Sequence, residues 1–68
     1  MSESTYTVTG MTCDHCVASV TEEINELDGV TAVAVDLPTG AVTVTSTAPL
    51  AEADVRNAVE EAGYRLAA

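Results

Sequence analysis

The residues best equipped for chemistry are Cys13 and Cys16, in the run Gly10-Met11-Thr12-Cys13-Asp14-His15-Cys16. Two cysteines so close in sequence close almost no loop, so a disulfide between them would stabilise little. Their value lies in the thiols themselves. Thiolates are soft ligands and select Cu(I) or zinc among common cellular ions. Structural zinc wants four protein ligands, and catalytic zinc usually three plus water. Cu(I) is content with two thiolates in a near-linear arrangement, and the chain offers two sulfurs, one histidine and many carboxylates. Low coordination also leaves room for an incoming third sulfur. The chemistry expected is therefore Cu(I) binding with ligand exchange, the behaviour of a transfer site and not of a store.

The neighbours have lesser parts. His15 lies between the cysteines, in a position that points it toward solvent; it is expected to tune thiolate charge or a protein contact, with pH dependence, more than to ligate metal. Met11, just ahead of the loop, is expected to be a core plug before a thioether ligand. Tyr64 reads as an aromatic of the last strand, whose ring would also shield the site if both share one end of the sheet. Asp14 leaves some zinc or cadmium binding open. The enzymatic rival is a thiol–disulfide oxidoreductase, which also needs a low-pKa thiolate at a helix start. However, 68 residues cannot build a thioredoxin domain, and the chain has no Trp and no Pro between the cysteines.

The elements around the cysteines follow from hydrophobic period. Thr5 to Thr9 alternates at period 2 and reads as a first strand, broken by Gly10. From about Asp14 to Leu27 the stripe Val17, Val20, Ile24, Leu27 has helical spacing, and Asp28-Gly29 closes that helix with Gly29 as its C′ residue. Cys13 thus falls in the loop and Cys16 in or beside the first helical turn. One bend, for which Gly10 supplies the freedom, aims both sulfurs at a single point. The helix N-terminus adds positive potential and free N–H groups, which favour thiolate. Val30 to Leu37 and Ala41 to Thr45 form an antiparallel hairpin around Pro38-Thr39-Gly40, with Val42 and Val44 inward. Pro49 suits the start of a second helix, with Val55, Ala58, Val59 and Ala62 as its buried face. Gly63 ends it, and Tyr64-Arg65-Leu66 is a closing strand. The order β-α-β-β-α-β is the split arrangement of the α+β, ferredoxin-like fold: one four-stranded antiparallel sheet, both helices on one face, the other face wet. The whole chain, residues 1–68, reads as a single domain.

Composition narrows the partners. Eleven acidic residues against two arginines give a net charge of −9. Nucleic acid is excluded, because phosphate binding needs Lys or Arg, and an anionic membrane surface is disfavoured. A basic partner is favoured, with docking that weakens as salt rises. The N-terminus lacks the features of a signal peptide and no apolar run approaches a membrane span. The expectation is a cytoplasmic protein, where thiols stay reduced.

The run Gly-Met-Thr-Cys-Asp-His-Cys resembles the G-M-x-C-x-x-C signature of heavy-metal-associated domains. Gly29-Val30, Pro38-Thr39-Gly40 and Ala62-Gly63-Tyr64 match their other landmarks, so the resemblance covers nearly the whole chain. That family includes small cytoplasmic copper chaperones and the N-terminal domains of copper-exporting P-type ATPases. The chain looks like a bacterial chaperone of the CopZ-like kind, and the resemblance implies Cys13 and Cys16 as Cu(I) ligands and Met11 as a buried support of the loop. It places Tyr64 where bacterial members carry a tyrosine near the site, and His15 where they often carry a histidine. Thr12 stands where zinc-preferring relatives often have aspartate, which points to copper. The implied partner is a copper-transporting P-type ATPase or its N-terminal metal-binding domain, and a copper-bridged homodimer is a further implied assembly. Left open are a zinc- or cadmium-binding domain and a metal-binding module of a larger transporter.

Overall fold

The computed structural model describes residues 1–67. Its elements are β1 (Ser2–Thr9), α1 (Asp14–Asn25), β2 (Val30–Asp36), β3 (Ala41–Ser46), α2 (Glu52–Glu61) and β4 (Arg65–Leu66). The strands form one antiparallel sheet in the order β2-β3-β1-β4. This is the ferredoxin-like arrangement that the alternation of periods predicts.

Register decides which residues reach the core. Tyr6 lies opposite Val42 on β3, and Val42 and Val44 lie opposite Val35 and Val33 on β2. Directly opposed residues share a face, so these side chains, with Val8, form one apolar surface. Val20 and Ile24 from α1 and Val55, Ala58 and Val59 from α2 bury against it. The opposite face is Thr5, Thr7 and Thr9 beside Thr43 and Thr45, and stays in contact with solvent. With no Phe or Trp, the core is made of small branched side chains whose packing depends on shape.

Several boundaries differ from those predicted. β1 starts at Ser2, because β3 extends to Ser46 and the two pair to their ends; polar side chains hid this. α1 stops at Asn25, with Glu26 as its C-cap. Gly29 is therefore not the C′ residue; it sits in the turn closed by the Val30 N–H donating to the Leu27 carbonyl at 3.3 Å. Leu27, beyond the helix, still packs on the core. Leu37 belongs to the hairpin turn and Pro49 to the lead-in of α2, whose N-cap is Ala51. Tyr64 precedes β4 instead of lying in it.

The end of α2 is what places Tyr64. The Tyr64 N–H donates to the Val59 carbonyl at 3.1 Å and the Gly63 N–H to the Glu60 carbonyl at 2.9 Å. This is the paired bonding of a Schellman motif. It turns the chain sharply and delivers Tyr64 to the end of the sheet where β1 leads into the cysteine loop.

Candidate metal site

The loop is built where β1 runs out. Gly10 takes φ of +91°, a conformation that disfavours a side chain, and a Cβ there would lie 3.4 Å from the Tyr64 ring. Glycine thus turns the chain toward α1 and lets the tyrosine pack over the turn. Met11 is half-buried against the core cluster. It anchors the loop to the domain.

Cys13 is the N-cap of α1, in extended backbone conformation. Its carbonyl accepts the N–H groups of Cys16 at 3.1 Å and Val17 at 3.3 Å. Its side chain makes no capping bond. The sulfur therefore stays clear of the role that Ser or Asp would play at this position. One helical turn brings Cys16 beside it, with the two Sγ atoms 3.5 Å apart. That is far beyond a disulfide bond length, and both cysteines are free. Cys13 is exposed and Cys16 half-buried.

The two thiols differ in what surrounds them. The Cys16 pKa is lowered from 9.0 to about 6. The largest cause is the backbone N–H of Thr12, followed by the Tyr64 hydroxyl and the Cys13 thiol. Donors facing a sulfur favour its charged form. The Thr12 hydroxyl adds a contact of 3.8 Å to the Cys16 sulfur. Conversely, the negative sulfur holds the Tyr64 hydroxyl pKa above its ordinary value, chiefly because that O–H donates to Cys16. Cys16 is thus a thiolate at neutral pH, set among donors, with Cys13 exposed beside it.

Of the residues singled out in the sequence, the structure gathers Cys13, Cys16 and Tyr64 at one point. Met11 stands behind the loop, and His15 and Asp14 are exposed on the first turn of α1. Among the described residues, no three His, Cys, Asp or Glu side chains come together as a metal-holding group. Thr12 has more to do than its sequence reading gave it. Its main part is played by a backbone N–H, which no residue type announces and which only the folded loop turns toward Cys16.

The geometry can be set beside known proteins. A model of the heavy-metal-associated domain matches residues 5–65. The copper chaperone CopZ of Bacillus subtilis is 43% identical over 68 residues, covering 98% of this chain and 99% of its own. A solved structure of a CopZ metallochaperone superposes with a TM-score of 0.90 at 34% identity, covering 97% of this chain and 100% of its own. A copper binding domain from HMA7, a P-type ATPase, superposes with a TM-score of 0.87 at 30% identity, covering 100% of this chain and 96% of its own. The chain belongs to the heavy-metal-associated domain family.

Proposed function

We propose that this protein is a cytoplasmic copper chaperone that carries Cu(I) between the thiolates of Cys13 and Cys16. The observation that carries the reading is the convergence of two sulfurs, 3.5 Å apart, in an exposed loop at a helix start. Two soft ligands suit Cu(I), whereas zinc sites use three or four protein ligands. The copper-chaperone names of its relatives support the same cargo.

Cys16, with a pKa of about 6, supplies a thiolate without waiting for the metal. Cys13, the exposed sulfur, completes the pair. Delivery follows by ligand exchange with a copper-transporting P-type ATPase, or its N-terminal domain, bearing its own pair of cysteines. A partner thiolate forms a bond to copper, giving a three-coordinate intermediate. One chaperone sulfur then releases its bond and leaves as thiolate, taking a proton from solvent. Copper keeps its charge throughout, and no oxidant or reductant is needed. The acidic surface brings the two proteins together against a basic patch, so transfer slows as salt rises. Met11 holds the loop, and His15 tunes the charge near the sulfurs.

An anaerobic competition titration of the reduced protein with Cu(I) and Zn(II), each against a chelator, tests the assignment. The expected result is one Cu(I) per chain surviving strong competition, zinc lost, and neither metal held by the Cys13→Ser/Cys16→Ser variant. Zinc retention, or tight copper binding by that variant, would overturn the assignment of metal or of ligands.

A further inference from the structure

The turn that joins α1 to β2 sets an aspartate directly before a glycine, Asp28-Gly29. An aspartyl side chain can be attacked by the main-chain nitrogen of the next residue, which closes a five-membered succinimide ring. The attack needs a next residue with no side chain to crowd the nitrogen, an N–H not held by a carbonyl, and a carboxyl group free to turn toward it. All three meet at Asp28. Gly29 has no Cβ. The N–H groups of Leu27 and Val30 are engaged, with the Ile24 carbonyl at 3.0 Å and the Leu27 carbonyl at 3.3 Å, whereas that of Gly29 has no partner among the described residues. Asp28 is exposed, and its carboxylate has no ion pair among the described residues.

The packing itself demands the glycine. A Cβ at position 29 would lie 3.0 Å from the Thr47 hydroxyl oxygen, inside ordinary van der Waals contact. The Gly29 carbonyl accepts the Thr47 N–H at 2.8 Å, which ties the turn to the loop after β3. What the fold requires at 29 is thus also what leaves the nitrogen open to Asp28. The other Asp and Asn residues lack this combination. Asp14 precedes the bulky His15. Asp36 precedes the bulky Leu37, and its carboxylate accepts the Thr39 hydroxyl at 3.0 Å. After Asp54 and Asn25 the next N–H is committed, Val55 to the Ala51 carbonyl and Glu26 to the Glu23 carbonyl. Asn57 lies inside α2, where helical bonding commits the N–H of Ala58.

We propose that Asp28-Gly29 is a self-modification site of the folded protein, which converts to isoaspartate and loosens the α1–β2 junction. The Gly29 nitrogen bonds to the Asp28 carboxyl carbon and gives up its proton, the carboxyl gives up its hydroxyl, and one water leaves. Water then opens the ring at either carbonyl, restoring aspartate or leaving isoaspartate, whose main chain runs through the former side chain. No oxidant or reductant takes part. The isoaspartyl link adds one main-chain carbon between Leu27, packed on the core, and the contact of Gly29 with Thr47. The cysteines stand at the other end of α1, a helix of 12 residues and so about 18 Å long. The modification therefore acts on the fold away from the metal loop, and it stands whether or not the cargo is copper.

Ageing the reduced, metal-free protein at neutral pH, folded and in urea, tests it. A glutamate-specific protease releases the peptide Leu27–Glu52, in which electron-transfer fragmentation separates isoaspartate from aspartate. Isoaspartate is expected to accumulate at Asp28 in the folded protein and to stay at background at Asp14, Asp36 and Asp54. The variant Asp28→Glu keeps the charge but cannot close the five-membered ring, so the signal should be lost. Aged protein should melt at a lower temperature than fresh protein, and Asp28→Glu aged alongside should not change. Isoaspartate at Asp28 only in urea, or equally at the other aspartates, would overturn the proposal. Equal melting of aged and fresh protein, once Asp28 has converted, would overturn the loosening of the junction.

Discussion

Cys16 owes its low pKa to neighbours that can be removed one at a time. Replacing Tyr64 by Phe deletes one donor and leaves the larger one, the Thr12 N–H, in place. The pH midpoint for alkylation of Cys16 should move upward from about 6 but stop short of 9.0, the ordinary thiol value. An unchanged midpoint would show that the hydroxyl does not act on the sulfur. The same shift couples to folding. A group whose pKa is lowered in the folded state contributes stability that is fully present above its unfolded pKa and is lost as pH falls through the folded one. Metal-free protein should therefore gain stability between about pH 6 and 9 from Cys16. Urea midpoints measured across that window should rise less steeply in the Cys16→Ser variant. The cysteine pair was legible from its spacing alone. Thr12 and the asymmetry between the sulfurs were not, because they depend on which N–H and O–H groups the folded loop turns toward Cys16.

The elements hold the site through a thin core and two demanding backbone positions. Ile24 is fully buried between α1 and the sheet, so Ile24→Ala should cost about 2–5 kcal/mol. Native domains have only about 5–15 kcal/mol in total, and one this small sits toward the bottom of that range. Chemical denaturation should show most of its stability gone. Gly40 is a sharper case. It has φ of +75°, and a Cβ there would lie 2.6 Å from the Val8 carbonyl oxygen. The Val8 N–H donates back to the Gly40 carbonyl at 2.8 Å, fixing the approach of the hairpin to β1. Gly40→Ala combines a left-handed penalty of about 1–2 kcal/mol with a backbone clash. Gly10→Ala carries only the first, since its Cβ would meet the Tyr64 ring at ordinary contact distance. Thermal melts should rank Gly40→Ala well below Gly10→Ala. Sequence period located every element correctly, and it misplaced their ends. Polar strand residues such as Ser2 and Ser4 carry no apolar period, and where α1 stops is set by caps and by its packing against the sheet.

At the scale of the molecule, charge is distributed unevenly. The open sheet face carries only Glu3, Asp36 and Arg65, while the other acidic residues lie on the helices and loops. Arg56 is engaged with Glu52 at 2.7 Å on the surface of α2, a pair worth at most a few tenths of a kcal/mol at such exposure. Neither helix has a basic residue in its last turn, so Glu26, Glu60 and Glu61 oppose the dipole uncompensated. Repulsion of this kind is screened by salt. Melting temperature should therefore rise with sodium chloride at neutral pH, and a flat response would show that these charges are too well solvated to matter.

The sequence by itself determined the order of elements, the one-faced pattern of the sheet and the two thiols. Each of these is written in local period or in spacing along the chain. Only the tertiary structure decided that Tyr64, from the far end of the chain, stands over the Gly10 turn, and that Thr12 supports Cys16. It alone also shows β2 lying at an edge of the sheet. These relations join residues distant in sequence, or depend on strand order and register, which the full set of packed contacts selects together.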